Sequence, residues 1–438
     1  MNFRDPERPR VSRRVSSVTL PLPPRGKRIA YLSTYLPREC GLSTFTRDLS
    51  SAVDTLGVFS HPTIIAVHDP DIYSGPYAHE VRFLLLQHDR NSYAQAATFV
   101  NQSDVALVNV QHEFGIFGTD SPRGTWDGTY VLDFLRALRK PAVVTLHTVL
   151  EHPNPRQAAA FRELGKLSAR LVVMAGNVSE ILERVYRIPA EKIFFIHHGA
   201  PDVPFHGSDY FKRVFSLSGR EVLMTFGLLS PNKGVEYVLD ALPEVVAKHP
   251  EVIYLIVGAT HPVVRKEAGE VYRKMLRRRV REHKLNEHVR FVNQYLTLNQ
   301  LILFLRATNI YLAPQLDLSQ YVSGTLAYAA AFGKAIIATG SRYAQYLLAD
   351  DRGLLVPARD ARALAVALEA LLGNPQRKRD VEEAIYIYSR AMTWPSVASQ
   401  YADLFRKVIA EHNGLFNSAG AVKPVPRRVQ KSEEVGVA

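Results

Sequence analysis

The sequence predicts an α/β protein made of two doubly wound, Rossmann-like domains in series. Three observations carry this. Short apolar runs of strand length recur along the chain, separated by stretches with helical spacing, which is the pattern of an open, mostly parallel sheet. The series runs twice, divided by a segment with Gly199, Pro201, Pro204 and Gly207. A chain of 438 residues is also too long for one ordinary core.

The bulk composition sets the class. At 47% hydrophobic and 22% charged the chain reads as soluble and globular. No apolar run approaches the ~18 residues of a membrane span, and residues 11–22 lack the sustained apolar core of a secretory signal. The single cysteine, Cys40, excludes an internal disulfide and fits a reducing compartment, so the expected location is cytoplasmic. The net charge of +12 is unevenly placed: residues 1–28 hold eight basic residues against two acidic ones. Residues 1–27 and 413–438 are expected to be disordered basic tails, mainly solvated. Weak contact with the anionic inner face of a membrane is the other expectation for them. The chain holds no nucleic-acid readout motif, so no specific nucleic-acid partner is expected.

The first series spans 28–205. Residues 29–33 read as a buried strand. A loop follows with Pro37, Cys40 and Gly41, then a helix over 44–56 that stops at Gly57. Further strands are expected at 63–67, 81–85, 105–110, 142–146, 171–174 and 193–196, and helices at 130–139 and 178–185. Residues 199–220 read as a linker. The second series spans 206–393, with strands at 222–226, 253–257, 289–292, 310–313, 335–338 and 353–356. A helix from Val235 is expected to kink at Pro243. A basic helix over 271–284, with Arg273 among its arginines, reads as a solvated face. Asp360 caps a helix over 361–372, and a last helix opens after Trp394.

Ligands of such sheets bind at the carboxyl ends of strands, and four clusters stand there. Glu39, Cys40 and Gly41 follow the first strand; Cys40 reads as a packed residue. His112 and Glu113 follow residues 105–110, and His147 follows 142–146. Lys233 and Gly234 follow 222–226, beside a helix start whose free N–H groups suit phosphate. A solvent-exposed turn lysine is the alternative at Lys233. Gln320 to Leu326 lead into another helix, which Ser323 or Thr325 can cap; packing or anion binding fits that start. The histidine and acidic spacings miss the zinc motifs, so no metal site is expected.

Together these clusters resemble the GT-B retaining glycosyltransferases, the large family of bacterial mannosyl- and glucosyltransferases and sucrose synthase. The carriers are the 32–41 loop, Thr145-Leu146-His147, residues 192–202, Thr225-Phe226-Gly227 through Lys233-Gly234, residues 323–339 and 348–357, and the Trp394 helix. The resemblance implies two domains facing each other across a cleft. The acceptor would bind on 28–205, to which a helix at 394–412 returns. A sugar nucleotide of the GDP-mannose or UDP- or ADP-glucose type would bind on 206–393. It implies hexosyl transfer with retention to a saccharide or lipid-linked acceptor, without metal or cofactor, in polysaccharide biosynthesis. It places His147 near the reacting carbon and Lys233 at the diphosphate leaving group. Gly41, Gln320, Ser323, Gly324, Thr325 and Tyr328 would bind donor, and Glu39, His112 and Glu113 would line the acceptor side. Four positions depart from the family pattern. Leu228 stands where an arginine is usual, Gln320 and Tyr328 replace two glutamates, and Gln345 or Tyr346 replaces a third. These departures motivate the alternative of a catalytically silent relative that binds nucleotide or glycan.

Overall fold

The computed structural model describes residues 26–121, 127–205 and 207–414. Apart from their inner ends, the tails expected at 1–27 and 413–438 lie outside the described residues. The first half runs β1 (Arg28–Ser33), α1 (Gly41–Thr55), β2 (Ser60–His68), β3 (Val81–Leu86), α2 (Arg90–Gln102) and β4 (Val105–His112). It continues with α3 (Tyr130–Ala137), β5 (Ala142–Leu146), α4 (Pro155–Leu167), β6 (Arg170–Val173), α5 (Ser179–Tyr186) and β7 (Ile193–Phe195). These strands form one parallel sheet in the order β3-β2-β1-β4-β5-β6-β7.

The second half runs α6 (Asp209–Val214), β8 (Glu221–Phe226), α7 (Val235–Lys248), β9 (Val252–Val257), α8 (Pro262–Ala268), α9 (Val271–Glu282) and β10 (Val289–Val292). Then come α10 (Leu298–Ala307), β11 (Ile310–Ala313), α11 (Gly324–Ala331), β12 (Ala335–Thr339), α12 (Arg342–Leu347), β13 (Leu354–Val356), α13 (Ala361–Leu372), α14 (Pro375–Ser389) and α15 (Trp394–His412). Its sheet is also parallel, in the order β10-β9-β8-β11-β12-β13. The central strands β5, β9, β11 and β12 are buried along their whole length, because helices cover both faces. Strand order reverses between β1 and β4 and again between β8 and β11. Those two switch points are where such sheets leave a crevice.

Several elements differ from the sequence reading. Helix α1 begins at Gly41 because the Cys40 sulfur caps it, accepting from the Ser43 N–H at 3.4 Å. The segment read as a linker contains α6. Helix α7 runs through Pro243 as one element, held to the sheet by buried Val238, Leu239, Leu242 and Val245. Arg273 is a correction: it is 3% exposed, not solvated, and its guanidinium holds Glu270, the Gly258 carbonyl and the Thr260 hydroxyl.

The last helix leaves the second half and packs on the first. Trp394, Val397, Tyr401, Phe405 and Val408 of α15 share one core with Phe45, Leu49 and Val53 of α1. A short clip fixes where it starts: the Ala200 N–H donates to the Met392 carbonyl, and the Trp394 N–H to the Ala200 carbonyl, both at 2.8 Å. The indole lies directly on Gly199, where a methyl group would run into the ring. Gly199→Ala is therefore expected to destabilise the protein by about 1–3 kcal/mol through overpacking. Denaturant unfolding followed by circular dichroism and tryptophan emission checks this; a midpoint equal to wild type would show that Trp394 is free to move.

Candidate active site

The Lys233 loop lies at the β8/β11 switch point. Ser230 is extended, and Pro231–Lys233 make a single tight turn rather than the first turn of α7. Gly234 then takes φ 60°, which favours glycine, and its Cα faces the Pro314 carbonyl with no room for a Cβ. This geometry turns Lys233 back over the loop: its Nζ lies 3.7 Å from the position a Cβ on Gly227 would take. The same position is 3.3 Å from the Thr325 methyl group, so Gly227, Lys233 and Thr325 meet at one spot. Among the described residues Lys233 has no ion pair, and burial pushes its ammonium down to about 8. A half-buried cation without a counter-ion is poised for an anionic ligand.

Two neighbours shape that loop. Leu229 pairs with Thr260, and the His261 N–H donates to the Leu229 carbonyl at 2.9 Å, so the ends of β8 and β9 are joined. Arg273 braces the β9 side from below. Across the spot, α11 starts at Gly324, and Ser323 rather than Thr325 caps it, its Oγ accepting from the Leu326 N–H at 3.4 Å.

The facing wall comes from the first sheet. Gly41 opens α1, is exposed, and has no atom within 4 Å of where a Cβ would sit. Glu39 is exposed beside it. His147 follows β5, half-buried, with Nε2 at 2.9 Å from Gln111 Oε1. Burial, then the His198 and His112 rings, hold its pKa down to about 3, so the ring is neutral. Phe45 of α1 fills the floor, edge-on to His147 at 4.8 Å, to His198 at 5.0 Å and to Trp394 at 5.5 Å.

The two walls touch at named pairs. The Thr44 hydroxyl meets the Tyr295 hydroxyl at 2.9 Å. His198 Nε2 lies 3.1 Å from the position a Cβ on Gly324 would take. Glu151 accepts from Arg342 at 2.7 Å and from Tyr321 at 3.2 Å. Deepest is Tyr328, whose hydroxyl donates to Asp48 Oδ2 at 3.0 Å in a buried setting. Asp48 is 8% exposed; burial raises its pKa, opposed by Arg47 and by the Tyr328 bond.

Some expected site residues are not placed as the sequence suggested. His112 does not line the cleft. It is 2% exposed, and its ring packs among Phe114, Phe117 and Phe161. The cause is the two-residue period of a strand: Gln111 and His112 point to opposite faces of β4. Glu113 caps the turn Phe114–Ile116, its carboxylate accepting from the Phe114 N–H at 2.9 Å and from Thr148 at 2.5 Å. Tyr328 turns its phenol to Asp48 rather than standing free for a ribose. Gln320 keeps a buried Oε1 without a partner among the described residues. Sequence reasoning missed Asp48, Tyr295, Glu151 and Arg342. For Asp48 a signal existed: it falls three residues after Phe45 and one before Leu49, on the apolar stripe of α1. Among the described residues no group of three His, Cys, Asp or Glu could hold a metal, and no helix is long and apolar enough to cross a membrane.

Comparison with known proteins bears on this arrangement. The family profile described as "Glycosyl transferases group 1" matches residues 220–374, the stretch that holds Lys233 and α11. Residues 220–374 are a group 1 glycosyltransferase domain. Two curated relatives are phosphatidyl-myo-inositol mannosyltransferases. The one from Mycolicibacterium smegmatis is 30% identical over 43% of this chain and 46% of its own length. The one from Mycobacterium leprae is 31% identical over 43% and 47%. The chain thus spans about half the length of the curated relatives it matches. Among solved structures, sucrose-phosphate synthase from Thermosynechococcus elongatus has a TM-score of 0.68 at 18% identity, covering 88% of this chain and 100% of that one. HepE of Anabaena in complex with UDP has a TM-score of 0.66 at 14% identity, covering 87% and 100%. WaaG, a glycosyltransferase of lipopolysaccharide biosynthesis, has 0.62 at 15%, covering 86% and 99%. The fold is GT-B, two parallel-sheet domains facing across a cleft.

The Tyr328–Asp48 pair sets a stability prediction. Tyr328→Phe leaves the buried carboxylate short of a donor and should cost about 1–3 kcal/mol. Tyr328→Glu sets a second carboxylate against Asp48 and should cost more. Thermal melts read both; a Glu variant as stable as wild type would mean that the two walls separate freely at this point.

Proposed function

We propose that the chain moves a hexose from a nucleotide-sugar donor to a saccharide or lipid-linked acceptor, with retention of configuration and without a metal. The observation that supports it most is the unpaired Lys233 converging with the α11 start at the switch point, opposite neutral His147. A diphosphate there meets one full charge from Lys233, the partial positive end of α11, and the open start of α1 at Gly41. As the bond from the anomeric carbon to the diphosphate breaks, negative charge grows on the leaving oxygen, where Lys233 stabilises it. The acceptor oxygen bonds the same face of the sugar, and its proton passes to the departing phosphate. His147 stands on the sugar side. The relatives named as mannosyltransferases favour a mannosyl donor of the GDP type and a lipid-linked acceptor. HepE in complex with UDP-glucose supports a UDP-sugar as the other donor. A cytoplasmic site of action, with the basic tails at the inner membrane face, completes this reading.

One observation favours a second reading, a silent nucleotide- or glycan-binding relative. Tyr328, where the family has a glutamate, is already bonded to Asp48. Transfer assays with a panel of GDP-, UDP- and ADP-sugars decide between the two.

Lys233→Ala should lower turnover by about 10²–10³-fold, with melting unchanged. Turnover within twofold of wild type would remove Lys233 from the mechanism. Binding of GDP or UDP should weaken as pH rises through about 8, because the ammonium of free Lys233 loses its charge there. Lys233→Arg should abolish that step, and calorimetry across this range reads it. Transfer should persist in EDTA; loss that magnesium or manganese restores would count against this chemistry.

A further inference from the structure

His147 stands at the top of a line of buried polar side chains on the α1/α15 side of the first sheet. Strand geometry builds the line. Asn109 and Gln111 fall on one face of β4, and their neighbours in register on β5 are Val143 and Thr145. Tyr401 of α15 closes the lower end, its hydroxyl 3.0 Å from Thr145 Oγ1. Asn109 Nδ2 donates to the Val143 carbonyl at 3.1 Å and to Thr145 Oγ1 at 3.2 Å. Gln111 Nε2 donates to Asn109 Oδ1, and Gln111 Oε1 faces His147 Nε2 at 2.9 Å. Asn109, Gln111, Thr145 and Tyr401 are fully buried.

The hydrogens follow from one fixed point. The Val143 carbonyl carries no hydrogen, so the Asn109 group facing it is the amide NH₂. Asn109 Oδ1 then faces Gln111 and accepts. Gln111 must present its NH₂ downward and its carbonyl oxygen to His147. That oxygen cannot donate, so the hydrogen between them sits on His147 Nε2. Reversing either amide sets like against like in a buried site, at about 1–3 kcal/mol for each bond left unmade. The ionisable groups acting on the ring are His198 and His112, and Phe45 of α1 lies edge-on to it. Among the described residues no carboxylate acts on the ring to favour a second hydrogen. A neutral ring with its hydrogen on Nε2 leaves Nδ1 as a bare lone pair, and Nδ1 has no partner among the described residues.

We infer that Asn109 and Gln111 are positioning residues that lock His147 in the neutral Nε2–H tautomer, so that Nδ1 meets substrate only as a hydrogen-bond acceptor. The identity of that substrate, a donor-sugar hydroxyl, rests on the glycosyl-transfer reading; the tautomer does not. His147 in this form orients a hydroxyl by accepting its hydrogen, and it does not protonate the leaving group.

Nitrogen-15 NMR of histidine-labelled wild-type chain, without substrate, reads the tautomer directly. His147 is assigned by the signal lost in His147→Gln. The expected result is a pyrrole-type Nε2 and a pyridine-type Nδ1, unchanged from about pH 5 to about pH 8. Gln111→Glu places a carboxylate on Nε2 and should turn the ring into an imidazolium at neutral pH. With it, kcat should fall about 10²-fold while KM changes little. Asn109→Asp should act in the same direction through Gln111. A wild-type His147 that carries its hydrogen on Nδ1, or is protonated at neutral pH, overturns the inference whether or not the variants fold. If the tautomer is as expected and no donor in the panel is used, the lock stands and glycosyl transfer falls.

Discussion

The clip at Ala200, Met392 and Trp394 is the contact on which the rest of the molecule depends. It joins the point where the chain leaves the first sheet to the point where α15 returns to it. Two backbone hydrogen bonds and an indole set flush on Gly199 fix the height of α15 against α1. From that height follow the position of Phe45 between the rings of His147, His198 and Trp394, and the reach of Tyr401 to Thr145. A shift of one helical residue in α15 would move its side chains by 1.5 Å along the axis and about 100° around it. It would break the polar line below His147 before any group in the cleft was touched.

Apolar burial supplies most of the driving force for this fold, but polar pairing decides its specificity. Two parallel sheets covered on both faces need little more than apolar strands and helix stripes. Asn109, Gln111, Asp48 and Tyr328 are different. Each is costly to bury alone and acceptable only in one arrangement of its partners. Tyr328 with Asp48, which joins the two walls, is of this kind, and Arg342 with Glu151 joins them nearer solvent. They set the walls at one distance, where apolar contact alone would tolerate sliding. The Asp48 carboxylate is the charged member of the buried pair, so its hydrogen-bond partners matter most to how the walls meet.

Much of the fold was legible because the physics of each strand is local. All thirteen strands of the described residues were foreseen to within a few residues, since parallel strands covered by helices appear as short apolar runs. Helices without a clean stripe or stop, such as α6 and α14, were not. Helix α1 starts three residues earlier than expected because Cys40 acts as its cap, a role thiols seldom fill. In the site, Lys233 and Ser323 were legible because turn breakers and caps are local signals. His112 was misread because its position after a strand was clear but its face was not. A strand buried on both sides shows no alternation to reveal which way a residue points.

The sequence by itself determined the two α/β series, their strands, and the loops that end them, because these depend on residues close together in the chain. It also carried the resemblance that the domain match over residues 220–374 supports. Only the tertiary structure decided which side chains meet. Asp48 and Tyr328 lie 280 residues apart, and Thr145 and Tyr401 lie 256 apart. No local pattern encodes such pairs. They arise when α15 docks on the first sheet and the second sheet closes over α1. The hydrogen on His147 is decided the same way, by a main-chain carbonyl on the next strand acting through two amides.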